Sequence, residues 1–155
     1  MKRAALAVLA AALLAGCGAS RGAPKAAPGP FAVSVVERIV HNQYDSVWPD
    51  LLSADRKVAP HDEYVRCESS HPVGALPRSL RVLRVSTESV GLGDGTFVKS
   101  TAVDVRIAFA GDLAITHTVH LVAESGGWRF ILPPWRYRDY KAGRCPSSAP
   151  PANAA

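Results

Sequence analysis

Five histidines offer imidazole nitrogens that could ligate a metal ion or transfer a proton near neutral pH. They are His41, His61, His71, His117 and His120. His117 and His120 are three residues apart in a segment of alternating apolar residues, and side chains three apart on a strand point to opposite faces. His61 is followed by Asp62 and Glu63, which is typical of the polar first turn of a helix. We therefore predict no metal site and no cofactor.

An isomerase or dehydratase would need a general base and an oxyanion donor in a dry pocket. His117 is the best candidate, because it lies on the more apolar face of its predicted strand. His41 and Tyr44 could line such a pocket from a helix above it. Asp104 is the weaker base, because Arg106 shares its face and a nearby guanidinium lowers a carboxyl pKa. We expect a protein without catalytic residues, and a pocket around His117 remains the enzymatic alternative.

Residues 1–17 have the anatomy of a secretory signal. Lys2 and Arg3 form a positive region, Ala4 to Ala15 is apolar, and small residues lead to Cys17. The apolar run is shorter than the roughly 20 residues that a membrane-spanning helix needs. Its ending, Leu14-Ala15-Gly16-Cys17, resembles the bacterial lipobox.

The lipobox resemblance implies cleavage after residue 16, a diacylglyceryl thioether on the Cys17 sulfur, and acylation of the new N-terminus by a fatty acid such as palmitate. Two or three acyl chains hold a protein firmly on a bilayer, whereas one holds it only marginally. We therefore expect a lipoprotein of the cell envelope, anchored to the cell membrane through Cys17 on its extracytoplasmic face.

Two further cysteines, Cys67 and Cys145, form an even pair in a chain that we expect to be exported. Disulfides persist in such oxidising surroundings, so we predict that the two cysteines are bonded. A redox or metal role is the alternative, but no Cys-x-x-Cys spacing is present.

The charge balance excludes a nucleic-acid partner. The formal net charge is +5, and removal of Lys2 and Arg3 with the signal lowers it by two. A nucleic-acid surface requires a dense basic stripe, which this mild excess does not provide. Arginine exceeds lysine, and alanine, glycine and proline are frequent, as is typical of a GC-rich genome.

Composition divides the chain into four parts. Residues 1–16 are the predicted signal peptide, and residues 17–30 are the lipidated cysteine with a flexible linker rich in Ala, Gly and Pro. We expect residues 31–146 to form one domain and residues 147–155 to form a disordered tail.

The first half of the domain has helical periodicity. Apolar residues recur at spacings of three and four from Val36 to Leu51, and Pro49 requires a new helix to start near Asp45. Ser53 to Asp55 resembles a capped turn. A further helix is expected to open at Pro60 and run toward Cys67.

The second half alternates with period two. Predicted strands cover 79–92, 96–110, 113–124 and 128–132, and the glycine-rich connections between them favour hairpins. Strands joined by hairpins are antiparallel. The sequence thus predicts an α+β domain in which N-terminal helices pack on a curved, four-stranded antiparallel meander.

This order of elements, ending in Gly127 to Pro134, resembles the nuclear-transport-factor-two-like (cystatin-like cone) superfamily. It is also similar to small actinobacterial lipoproteins of that type, with a later Gly143-Arg144-Cys145-Pro146. The resemblance implies a cone-shaped sheet whose concave face often forms a pocket. It implies no reaction, and it allows a homodimer through the sheets without requiring one.

We therefore expect a non-enzymatic binding domain. Its ligand would be a small apolar molecule in a pocket at His41, Tyr44 and His117, or an envelope protein. Aromatic and basic residues alternate near the C-terminus, and interface hot spots are rich in both. The candidate partner patch comprises Trp135, Arg136, Arg138 and Tyr140. A purely structural role in the envelope is the third interpretation.

Overall fold

The computed structural model describes residue 24 and residues 26–147. The predicted signal peptide, the lipidation site Cys17, most of the linker and nearly all of the tail lie outside the described residues. Among the residues that the structure describes, no helix is both long and apolar enough to cross a membrane.

Within the described residues, five α-helices and four strands follow one another: four helices, then the sheet, then the fifth helix. The helices are α1 (Pro28–Val40), α2 (Tyr44–Val47), α3 (Ser53–Val58), α4 (His61–Ser69) and α5 (Pro134–Lys141). A 3₁₀ turn, Trp48–Asp50, follows α2. The strands are β1 (Ser79–Gly91), β2 (Phe97–Ala108), β3 (Ala114–Glu124) and β4 (Gly127–Phe130).

Helix α1 starts earlier than the sequence indicated. The predicted linker runs to residue 30, but the helix begins at Pro28, because a proline in the first turn costs no hydrogen bond. Just before it, the Trp128 indole N–H donates to the Ala26 carbonyl at 2.8 Å. The last residues of the predicted linker therefore belong to the domain.

The break after α1 falls where the sequence placed it, before a second helix near Asp45. Asn42 adopts a left-handed conformation, with φ of 58°, which ends the helix. Pro49 then lies in a 3₁₀ turn rather than inside an α-helix. An ion pair between Arg38 and Asp50, 2.5 Å apart, joins this turn to α1.

The sheet is an open antiparallel meander in the order β1-β2-β3-β4, which confirms the predicted α+β architecture. Positive φ angles at Gly111 and Asp112 form the turn between β2 and β3, and the same feature at Ser125 and Gly126 turns β3 into β4. The register between β1 and β2 shifts at Val82/Arg84, which marks a bulge in this edge strand.

The hydrophobic core lies between the sheet and the helices. The apolar face of α1 buries Ala32, Val35, Val36 and Val40 against Val103, Val105 and Leu121 of the sheet, all 5 % exposed or less. The concave face is therefore filled at its centre by the protein's own side chains. Every residue of the buried core cluster lies between Ala32 and Tyr140, so a chain that lacks the first 17 residues keeps all of them.

Helix α5 was not foreseen. The sequence correctly ended the last strand before Pro133 and Pro134, but residues 135–141 lack a clear apolar stripe. Only Tyr137 and Tyr140, three residues apart, are buried on this helix. A disulfide joins Cys67 of α4 to Cys145 just beyond α5, with Cα atoms 5.1 Å apart, as the cysteine pair predicted.

Candidate functional site

A cavity of about 320 Å³ lies beside the disulfide, open to solvent. The end of α1, the start of α2, helix α4, the loop after it and helix α5 all contribute to its wall. The polar side chains in the wall are those of Tyr44, Glu68, His71, Arg136 and Ser147. These residues come from separate stretches of the sequence, and the packing of α2 and α5 against α4 brings them together.

Glu68 is the centre of this wall. One of its oxygens, Oε1, accepts hydrogen bonds from the Arg136 guanidinium and from the Tyr140 hydroxyl at 2.5 Å. The Glu68 and Arg136 side chains are only 13 % and 18 % exposed. A partly buried ion pair with a third donor holds α4 and α5 in a fixed relation.

The cavity wall is charged but does not favour proton transfer. Burial, and next the hydrogen bond to Glu68, raise the pKa of the Tyr140 hydroxyl. Burial and the Glu68 charge likewise raise the pKa values of Tyr44 and Tyr64. These phenols therefore stay protonated and act as hydrogen-bond donors. Burial opposes the charge on Arg136, but the Glu68 carboxylate raises its pKa overall, so the guanidinium stays charged.

Asn42 shapes the rim of the cavity. Its Oδ1 accepts hydrogen bonds from the Tyr44 hydroxyl at 2.9 Å and from the Val73 amide at 2.7 Å. Its Nδ2 donates to the Val73 carbonyl at 3.3 Å. One left-handed residue thus fixes both the Tyr44 ring and the loop after α4.

The disulfide positions the last part of the wall. Cys67 is 2 % exposed, and its bond to Cys145 holds the chain that follows α5 against α4. Pro146, the next residue, is buried and lines the cavity. The segment around Cys145 therefore contributes to the site as well as to stability.

The three residues predicted to share a pocket lie apart. Tyr44 lines the cavity described above, whereas His41 lines a second, shallower cavity of about 270 Å³ between α1 and the start of β1. His117 pairs with Val105 on the core face of the sheet, as its predicted face requires, but it is exposed there. Next to it on the same face, Ile115 is 49 % exposed. Neither of the two cavities includes His117.

The predicted partner patch is divided by the helical geometry of α5. Tyr140 is 2 % exposed and faces the core. Arg136 lines the cavity and lies 5.1 Å from the Trp135 ring centre, while Arg138 is exposed on another side. These residues do not form one exposed aromatic surface, because successive positions on a helix point in different directions.

The other histidines have ordinary hydrogen-bond partners. His120 lies on the outer face of the sheet, opposite to His117, and its Nδ1 is 3.1 Å from the Ser100 hydroxyl. His61 contacts the carboxylates of Asp62 and Asp45 at 2.7 and 2.8 Å. In the described part of the chain, no three His, Cys, Asp or Glu side chains are grouped closely enough to bind a metal ion.

Asp104, the alternative general base, is engaged across the sheet. It accepts hydrogen bonds from the Thr118 hydroxyl at 2.7 Å and from Arg84 at 2.9 Å. These bonds lower its carboxyl pKa, as the sequence led us to expect, although the cation is Arg84 rather than Arg106. A carboxylate held in this way is a poor proton acceptor.

Sequence reasoning missed Glu68 and assigned Arg136 and Tyr140 to the wrong kind of surface. The sequence did not predict helix α5. In a helix, residues four apart lie on one face, so Arg136 and Tyr140 both reach the Glu68 carboxylate of α4. One signal was available: the predicted bond between Cys67 and Cys145 already required α4 and the segment before Cys145 to be neighbours.

No family model matches this chain, and no curated protein matches it. The function must therefore be inferred from the residues themselves.

Proposed function

We propose that this protein is a bacterial lipoprotein, anchored through Cys17 on the extracytoplasmic face of the cell membrane, whose domain binds a small ligand in the cavity beside the disulfide. The observation that supports it is the partly buried Glu68–Arg136 pair in the wall of an open cavity of about 320 Å³. We further propose that the domain belongs to the nuclear-transport-factor-two-like superfamily, which its helices and antiparallel meander support.

Binding fits this wall better than catalysis. The Glu68 oxygen that contacts Arg136 also accepts from Tyr140, so this carboxylate is engaged rather than free to accept a proton. The surrounding phenols are held protonated by burial and by the Glu68 charge. A fixed set of donors and one ion pair gives orientation and specificity to a bound molecule.

The ligand is expected to be polar. The sequence indicated an apolar ligand on the concave face, but α1 fills the centre of that face. The open cavity instead presents a guanidinium, a carboxylate, an imidazole and a phenol. A small molecule with both hydrogen-bond donors and acceptors, such as an amide or a zwitterion, would satisfy these groups.

Native mass spectrometry of the exported protein, purified from its own host, tests ligand binding. We expect an added mass that disappears on denaturation and is lost in the Glu68→Gln/Arg136→Gln double variant, which removes both charges at similar volume. His41→Gln, in the other cavity, is the matched control and should keep the added mass. A bare wild-type protein, or a ligand retained by the double variant, would contradict the proposal and favour a structural or protein-binding role.

Membrane fractionation tests the anchor separately. Cys17→Ala removes the sulfur that would carry the lipid, so the protein should leave the membrane fraction in a high-salt wash, whereas the wild-type protein should remain. Retention of the variant under that wash would show that the lipobox interpretation is wrong.

A further inference from the structure

Two arginines lie directly opposite each other on the outer face of the sheet. Arg81 of β1 is the register partner of Arg106 of β2, and both side chains are exposed. Residues paired in this way have Cβ atoms about 5 Å apart, and like charges at that distance destabilise a sheet.

No carboxylate neutralises this pair within the described chain. On the same face, Asp104 and Glu88 form ion pairs with a third arginine, Arg84, at 2.9 Å and 3.7 Å. Neither Arg81 nor Arg106 takes part in an ion pair within residues 26–147. An anion from outside the domain would relieve their repulsion.

Exposed apolar side chains lie along the same edge strand. Val82 and Val85 pair with Val105 and Val103, so they point to the face of the sheet opposite to that of the two arginines. Val82, Leu83 and Val85, on both sides of the β1 bulge, are 40 %, 55 % and 48 % exposed. Strand β1 is an edge strand with no neighbour on its outer side. An edge strand with basic groups on one face and apolar groups on the other suits the boundary between lipid headgroups and acyl chains when the edge itself meets the membrane.

The chain that leads to the predicted anchor enters the domain at this same place. Helix α1 begins against β1, because a Cβ on Gly29 would lie 3.2 Å from Val82. The preceding Ala26 is held by Trp128. From Ala26 back to Cys17 a fully extended chain spans at most about 30 Å, so the anchor keeps the β1 edge close to the bilayer.

We propose that the β1 edge, defined by Arg81, Arg106 and the apolar residues Val82, Leu83 and Val85, docks on anionic phospholipid headgroups. This surface would orient the domain on the membrane. The proposal extends the lipoprotein function proposed above. Its binding step, however, uses only residues of the folded domain and can be measured without the lipid on Cys17.

Vesicle sedimentation of residues 18–155, which keep the whole core and lack the lipidated cysteine, tests this docking. We expect binding to vesicles of equimolar phosphatidylglycerol and phosphatidylcholine, little binding to phosphatidylcholine alone, and weakening by salt. Arg81→Gln/Arg106→Gln should weaken the partition coefficient by about 30-fold, as expected for two basic residues at an anionic surface.

The matched control is Lys57→Gln/Arg138→Gln, which removes the same charge from exposed positions of α3 and α5 and should change binding less than about threefold. Equal weakening by both double variants would overturn the proposal, because it would show a net-charge effect. Equal binding to both vesicle types, or no binding by the wild type, would overturn it too.

Two further measurements distinguish docking on lipid from binding of a free anion and test the repulsion between the two arginines. Displacement from vesicles by inorganic phosphate, but not by chloride of equal ionic strength, would show a free-anion site and contradict docking on lipid. Without lipid, the melting temperature of Arg81→Gln/Arg106→Gln should equal or exceed that of the wild type, because this double variant removes the like-charge contact. Retention of Cys17→Ala in high salt would refute the anchor alone, since these vesicle experiments do not use it.

Discussion

Asp55 is the most unusual single residue of the domain. The sequence placed it in a capped turn, but it is 1 % exposed and accepts the Leu132 amide at 2.8 Å. At the start of α3, the Glu124 carboxylate accepts hydrogen bonds from the Ser53 amide at 3.3 Å and from the Ser53 hydroxyl at 2.6 Å. Burial, with the nearby charges of Asp94 and Glu124, raises the pKa of Asp55 to about 7 despite the bond from Leu132.

This raised pKa has a definite effect on stability. The folded state holds the Asp55 proton up to about pH 7, whereas the unfolded chain releases it near 3.8. The contribution of Asp55 to the free energy of unfolding is therefore greatest below about pH 4 and falls as the pH rises to 7, by up to about 4 kcal/mol.

Asp55→Asn should remove that dependence, because the amide oxygen can still accept from Leu132 and carries no charge. We expect the melting temperature of the variant, relative to the wild type, to be higher at pH 8 than at pH 5. Asp112→Asn, in an exposed turn, is the control and should track the wild type at both values. A difference between variant and wild type that does not change with pH would contradict the assignment.

His61 also loses its stabilising effect as the pH rises, but the cause is attraction to carboxylates rather than burial. Hydrogen bonds to Asp62 and Asp45 raise its pKa above the ordinary 6.5, so its stabilising effect is complete below 6.5 and is lost as the pH rises through the folded value. NMR titration should show an elevated pKa for His61 that falls in Asp45→Asn and at high salt. A value unaffected by that substitution would show that the contact does not persist in solution.

The elements themselves could be predicted to different extents. The four strands were predictable because alternation with period two is regular over β2 and β3, and the turns contain residues that tolerate positive φ. Helix α5 was not, because two tyrosines supply its entire buried face and the rest of its burial comes from contacts with α3 and α4. The cavity could not be predicted either, because its wall depends on where α5 packs.

The hairpin between β1 and β2 depends on a glycine at one contact with α5. A Cβ on Gly93 would lie 2.3 Å from Cδ1 and 2.5 Å from Cβ of Tyr137. Rotation of the tyrosine ring cannot relieve the second contact, because it involves an atom next to the backbone. The tip of the hairpin must therefore move if this glycine is replaced.

Gly93→Ala should lower the free energy of unfolding by about 1–3 kcal/mol, the usual cost of overpacking. Chemical denaturation of Gly93→Ala and of Gly74→Ala measures this, since a Cβ on Gly74 would meet nothing within 4 Å. The control should be close to the wild type. Equal stability of both variants would mean that the hairpin does not rest on α5.

At the scale of the whole molecule, the disulfide closes a large loop. Cys67 and Cys145 are 78 residues apart, and the intervening chain contains the entire sheet. The entropic model assigns roughly 4 to 5 kcal/mol to such a closure, although removal of a native bond typically costs about 2–5 kcal/mol. The bond therefore joins the helical half to the chain that follows the sheet.

Cys145→Ser should lower the melting temperature of the oxidised domain by about 8–16 °C. Cys67→Ser should lower it further, because the new hydroxyl occupies a site that is 2 % exposed. Calorimetry of the two variants, with the reduced wild type as reference, makes the comparison. A melting temperature unchanged in both would show that the bond adds no stability.

The unequal burial of the two cysteines also decides how the bond can be broken. Cys145 is exposed, with an Arg66 nitrogen 3.4 Å from its sulfur, whereas Cys67 is enclosed by the core. An incoming thiolate can reach only Cys145, and the departing thiolate is then Cys67, in surroundings that disfavour an anion. Thiol–disulfide exchange on the folded domain is therefore slow, and small reductants must await local opening of α4 before the bond is lost.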